Sequence, residues 1–93
     1  MDDEHTIFVG KKDTMSYVLA LMTQFNRGDK EAVIKARGRA ISKAVDIAEI
    51  AKNRFLKNAE IFDIKTDTEE LDNRDGEGTV NVSSIEINVR TND

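Results

Sequence analysis

Six cations mark the places where this chain can do chemistry. Lys35, Arg37, Arg39 and Lys43 crowd into KARGRAISK with no acid among them, and Lys11 and Lys12 follow a glycine in GKKDT. Both segments read as a strand that passes through a glycine into a helix. A helix N-terminus presents unpaired backbone N–H groups and the positive end of the helix dipole. Cations there oppose the dipole, so they burden the helix and suit an arriving anion, phosphate above all. Gly38 adds close access to the backbone. A solvated charged turn would explain either segment alone. Two junctions of the same make weigh against it, because a parallel β-α-β unit delivers both strand ends to one edge of the sheet. Lys11, Lys12, Lys35, Arg37 and Arg39 then share one patch, with Lys43 one turn along the second helix. GKKDT lacks the glycine spacing of a nucleotide-binding P-loop.

Other chemistry is poorly supplied. His5 is the only histidine, there is no cysteine, and none of Ser16, Ser42, Ser83 and Ser84 has a recognisable nucleophile setting, so no catalytic triad is expected. The carboxylates of residues 67–77 do not follow the EF-hand spacing and read as a solvated hairpin tip, with no metal and no cofactor expected. Aromatics are 5% of the chain, too few for a binder based on base stacking. Tyr17 and Phe8 are expected in the core.

The elements that must position the cations follow from periodicity. Residues 6–9 read as a short strand, and Asp13 or Thr14 as the cap of a helix running to about Arg27, with Met15, Val18, Leu19, Met22 and Phe25 on one face. Residues 31–36 form a second strand and Gly38 breaks it. Residues 39–55 form a second helix whose buried stripe is Ala40, Ile41, Ala44, Val45, Ala48, Ala51 and Phe55. Ile47 and Ile50 fall outside the stripe's centre and suggest a second buried face at a subunit contact. Residues 59–70 alternate, with Phe62, Ile64, Thr66 and Thr68 on one side and Ile61, Asp63, Lys65 and Asp67 on the other. Residues 80–89 alternate likewise, with Ile85, Ile87 and Val89 on one face. The Asp75-Gly76 turn joins them into a hairpin. The order is β-α-β-α-β-β.

Ninety-three residues make one domain, residues 1–93, with an aliphatic core. No apolar run approaches the ~20 residues that span a bilayer, and the acidic N-terminus is no signal peptide. A soluble, intracellular protein without membrane contact is expected. The net charge of −4 argues against a generic polyanion binder, but the charge is segregated. Residues 35–54 carry six cations and two anions, whereas residues 60–77 carry two cations and eight anions.

The run VIKARGRAISKAVDIAEIAKNRF, residues 33–55, resembles the Alba family of small archaeal chromatin proteins. IFVGKKDTMSYVLALMTQF, IKTDTEEL and VSSIEI sit where that family has its corresponding segments, and the likeness runs from Thr6 to Arg90. The resemblance implies an α/β fold of the α+β two-layer sandwich type, β-α-β-α-β-β, similar to the C-terminal domain of a bacterial translation initiation factor. It implies an extended C-terminal β-hairpin arm that reaches toward the minor groove. Residues 1–5 are expected to be disordered and the hairpin tip, 70–80, flexible. A non-enzymatic homodimer is implied, one that binds the phosphate backbone of double-stranded DNA and RNA and resides in the cytoplasm on the chromosome, or nucleoid. Lys11 and Lys12 match the family's central lysines, one of which is acetylated in some members. Lys35, Arg37, Arg39 and Lys43 match further basic positions. Asn53, Arg54 and Phe55 match a dimer–dimer contact through which members assemble along a duplex.

Three departures from the family pattern stand out. Asp13 occupies the place of a usual proline, the hairpin tip LDNRDGEGTVN sets only Arg74 against Asp72, Asp75 and Glu77, and Asp2, Asp3 and Glu4 add charge at the N-terminus. Binding weaker or more selective than that of basic relatives is expected. Two alternatives stay open: an RNA-binding, RNA-processing subunit, and an interaction protein whose acidic arms take a basic partner.

Overall fold

Apart from Val33, the sequence EAVIKAR alternates small or branched apolar residues with charged ones, which makes the strand β2 (Glu31–Arg37) two-faced. Ala32, Ile34 and Ala36 are buried, while Glu31, Lys35 and Arg37 are exposed. This strand is the axis of the fold in the computed structural model, which describes residues 5–92. On one side β1 (Thr6–Phe8) pairs with it in parallel, with Phe8 opposite Lys35. On the other side β4 (Thr79–Thr91) pairs antiparallel, and β3 (Ala59–Asp72) lies outside β4. The sheet order is β1-β2-β4-β3.

Helices α1 (Thr14–Asn26) and α2 (Ile41–Ile50) cover one face of this sheet, giving the expected α+β two-layer sandwich in the order β-α-β-α-β-β. The core is aliphatic: Val18 and Leu21 from α1, Ala44, Ile47 and Ala48 from α2, Ile34 from β2, and Ile87 and Val89 from β4 are essentially inaccessible. Fully burying one such Leu or Ile side chain contributes roughly 1.5–3 kcal/mol.

Both helices sit rotated from the expected faces. In α1 the buried residues are Val18, Leu21 and Gln24, with Met22 and Phe25 packed at the core's margin, whereas Leu19 is 55% exposed. In α2 the buried line is Ala44, Ile47, Ala48 and Ala51, the i, i+3, i+4, i+7 spacing of one face. Ile47 therefore belongs to the core. The apolar residues left outside are Val45, 40% exposed, and Phe55, 41% exposed. The alanines are common to both stripes; the difference is a small rotation that buries the larger Ile47 and leaves Val45 outside.

The second helical segment is also not uniform. A 3₁₀ turn, Gly38–Ala40, opens it with Gly38 at φ 61°, a left-handed conformation that glycine adopts without strain. A π-helical turn, Ala51–Phe55, closes it, with Leu56 N–H donating to the Ala51 carbonyl at 2.7 Å. The expected alternation of β3 also fails near its start. A bulge lies between Ile61 and Asp63, so Ile61 opposes Val89 and Ile64 opposes Ile87, both on the helix side. Phe62 instead lies under Arg90, ring centroid to guanidinium 4.7 Å, on the open face.

Beyond the sandwich β3 and β4 continue as a two-stranded arm, paired to Asp72 and Thr79, and the molecule measures 50 × 23 × 22 Å. The tip, residues 73–78, is closed by Asn73 N–H to Gly78 O at 3.0 Å and Asn73 Nδ2 to Glu77 O at 2.7 Å. Of residues 1–5, only His5 is described; its Nδ1 lies 3.3 Å from Asp29 Oδ2. Among the described residues no helix is long and apolar enough to cross a membrane.

Candidate nucleic-acid interface

The parallel pairing of β1 with β2 sends both strands out at one edge of the sheet. Val9 N–H donates to the Lys35 carbonyl at 2.9 Å, so the first glycine junction begins beside the second. At the first junction Asp13 caps α1. Its carboxylate accepts from Ser16 N–H at 3.1 Å and from Ser16 Oγ at 2.6 Å. These hydrogen bonds, the side-chain one foremost, hold the Asp13 carboxyl below the usual carboxylate value. At the second junction neither the 3₁₀ turn nor α2 has a side-chain cap, and no acid lies in the first turn of either. Among the described residues, the positive end of α2 thus has no capping or first-turn carboxylate.

Lys43 joins the two junctions. From the first turns of α2 its ammonium donates to Gly10 O at 2.9 Å and Lys12 O at 2.7 Å. The expected patch therefore comes together, but its members differ. Lys11, Lys12 and Arg39 are exposed. Arg37 is exposed and ion-paired to Glu69 of β3 at 2.7 Å. Lys35 lies 3.8 Å from Glu86, which also faces Lys65 at 3.8 Å. Lys43 is half-buried and directed at the backbone of the neighbouring loop. Asn53, Arg54 and Phe55 lie away from these junctions, exposed on the π-helical turn.

Residue types alone did not reveal three participants. Glu69 and Glu86 are counter-ions to the patch, from strands distant in sequence. Tyr17, expected only as core, is half-buried against the core yet turns its hydroxyl to the Gly10 N–H at 2.8 Å and the Lys12 N–H at 3.2 Å. Its position one turn inside a helix behind a glycine loop was the available clue. Phe8, also expected in the core, is exposed on the open sheet face because its neighbour Ile7 takes the inward position.

Known proteins share this architecture. The family model Alba matches residues 5–69. The DNA/RNA-binding protein Alba 1 of Archaeoglobus fulgidus is 57% identical over 84 residues, 90% of this chain and 92% of the relative. The DNA/RNA-binding protein Alba of Methanocella arvoryzae is 59% identical over 94% of this chain and 90% of its own length. Among solved structures, Alba from Thermoplasma volcanium superposes with a TM-score of 0.85 at 53% identity, covering 91% of this chain and 98% of that one. ALBA1 from Trypanosoma brucei superposes at 0.75 and 25% identity, over 95% of this chain and 69% of that one. A shared fold, near-complete coverage and more than half of all residues in common lead to one conclusion: this chain belongs to the Alba family.

Proposed function

We propose that the protein is a non-enzymatic nucleic-acid-binding protein of the chromatin type, acting on the phosphate backbone of double-stranded DNA. One observation carries this: two glycine junctions, fastened together by Lys43, gather Lys11, Lys12, Lys35, Arg37 and Arg39 at one sheet edge in a chain that is otherwise acidic. The names of its relatives as DNA/RNA-binding proteins support the same activity. Contacts of this kind supply affinity and register but carry no base sequence.

The working form is a homodimer, which doubles the patch. Its support is an uncovered apolar area on the helix side of the sheet, between α2 and the root of the arm. Ile41 and Ile85 border a shallow groove with Thr66. Val45 lies one helical turn from Ile41, and Ile64, 53% exposed, lies two residues from Thr66 on the same face. Asn53, Arg54 and Phe55 are the proposed contact between dimers along a duplex, acetylation of Lys11 or Lys12 would remove charge at the centre, and the cellular place is the cytoplasm, on the chromosome.

The test is fluorescence anisotropy of a labelled random-sequence duplex over a range of salt, wild type beside Lys11→Glu/Lys12→Glu. Affinity that falls with salt in the wild type and disappears in the variant is expected. Equal binding by both proteins would overturn the surface. A second reading is favoured by the acids that already occupy Arg37 and Lys35: weaker hold on generic duplex, and preference for selected sites or structured RNA. Competition between structured RNA and duplex of equal length separates the two. Binding of a basic protein, lost on charge reversal of Asp72, Asp75 and Glu77 but kept in Lys11→Glu, would instead support the interaction-protein alternative.

A further inference from the structure

We propose that Tyr17 and Lys43 are positioning residues, a two-sided clamp that fixes residues 10–13 in the shape that presents Lys11 and Lys12. This role rests on the phosphate surface proposed above. The loop between β1 and α1 has no strand partner for its peptide groups beyond Val9. Tyr17 and Lys43 supply the partners instead. The Tyr17 hydroxyl oxygen accepts from the N–H groups of Gly10 and Lys12 at 2.8 and 3.2 Å. The Lys43 ammonium donates to the carbonyls of the same two residues at 2.9 and 2.7 Å. Both backbone polar groups of Gly10 and both of Lys12 are thus held, and Asp13 anchors the loop's far end through Ser16. The two clamp residues also meet each other, the ammonium 6.0 Å from the Tyr17 ring centroid.

This geometry separates Lys43 from the other cations. An ammonium has three donors, and two are committed to carbonyls, each a charge-assisted bond. To reach a phosphate in full, Lys43 would release the loop that carries Lys11 and Lys12. Its contribution to binding therefore passes through those two residues. The clamp also removes freedom before the nucleic acid arrives, so less ordering remains to oppose association.

Tyr17→Phe is the discriminating variant, because it deletes one oxygen and changes no charge at neutral pH. Duplex affinity at fixed salt is expected to fall several-fold in Tyr17→Phe on the wild-type background, and not to fall further on a Lys11→Ala/Lys12→Ala background, measured at low salt where residual binding persists. In the free protein, hydrogen exchange at the Gly10 and Lys12 amides is expected to accelerate while the circular dichroism spectrum stays unchanged. Lys43→Met is expected to show the same dependence on Lys11 and Lys12. Wild-type affinity in Tyr17→Phe would overturn the clamp, and so would an equal loss on both backgrounds, which would mark a general structural effect. An additive loss at Lys43 would make it a phosphate contact in its own right and overturn its half. If Lys11→Ala/Lys12→Ala bound duplex as the wild type does, the phosphate surface would fall, and the role with it. The amide exchange of Tyr17→Phe would still show whether the loop is held.

Discussion

Arg37 reaches the proposed interface already paired, its guanidinium 2.7 Å from Glu69 with both side chains partly exposed. Exposed pairs of this kind are worth roughly 0–1 kcal/mol, little enough for a phosphate to displace the carboxylate but enough to subtract from binding. Glu69→Gln is therefore expected to tighten duplex binding, by at most about fivefold, and to steepen its salt dependence by up to about 0.9 as Arg37 gains a phosphate contact. Anisotropy titrations across salt measure both. Unchanged affinity together with an unchanged salt slope would mean that Arg37 gains no phosphate contact. Asp13 acts in opposite senses on the helix and on binding, stabilising the one and opposing the other. Its hydrogen bonds from Ser16 lower its pKa from the ordinary value of 3.8, so its share of helix stability is complete above that value and is lost as pH falls through the lowered folded value. Asp13→Asn keeps an N-cap acceptor and removes the charge. Helicity below pH 3.8 is expected to depend less on pH in the variant, and duplex affinity at neutral pH to rise a few-fold. An acid titration followed by circular dichroism, beside anisotropy at neutral pH, checks the two.

Among the elements, those with a strict period were legible in the sequence and those with a local irregularity were not. β4 alternates, and its buried Ile87 and Val89 read directly from SSIEINV, whereas β2 was legible as a strand but Val33 between Ala32 and Ile34 left its inward set, Ala32, Ile34 and Ala36, undefined. The Phe62 bulge adds one residue to β3 and reverses the phase behind it, which no alternation count could register. In α2 two overlapping stripes share Ala44, Ala48 and Ala51, and a small rotation of the helix, which periodicity does not define, buries Ile47 in place of Val45. The candidate site shows the same division. Its cations were legible as residue types at glycine junctions, whereas Glu69 and Glu86 come from strands whose register sequence alone did not define. The π-helical turn is the irregularity with the clearest consequence. Widening the helix at Ala51–Phe55 leaves Asn53, Arg54 and Phe55 outward, and π-turns are frequent at functional places. Phe55→Ala should cost less stability than the ~3–5 kcal/mol of a buried Phe, while removing cooperativity from the duplex titration. Denaturant unfolding and the shape of the binding isotherm give the two readouts. Full cooperativity in the variant would remove Phe55 from the proposed contact between dimers.

At the scale of the whole molecule, the shape raises the question of what covers the arm. The helices cover the sheet only near its centre, and beyond them β3 and β4 run on as a two-stranded ribbon within a 50 Å molecule. An isolated two-stranded hairpin is marginal in water, and at the root of this one, where β2 still pairs with β4, Ile64 is exposed on the helix side beside the groove bordered by Ile41 and Ile85. A second copy packed there would cover Val45 and Ile64 and bring two cation patches onto one particle. Ile64→Asn tests this without altering charge. Because Ile64 is 53% exposed in the single chain, the substitution removes little of the chain's own core, whereas across a subunit interface it would place an amide among apolar side chains. The expected result is a particle of half the mass by light scattering, with the circular dichroism spectrum kept. Duplex binding should weaken, and its salt slope should fall by about half, since each neutralised phosphate contributes about 0.9 to that slope and only one patch would remain per particle. Retention of the wild-type mass would place the subunit contact elsewhere. Halved mass with an unchanged slope would show that a single patch carries the binding, and that the second copy serves the stability of the arm.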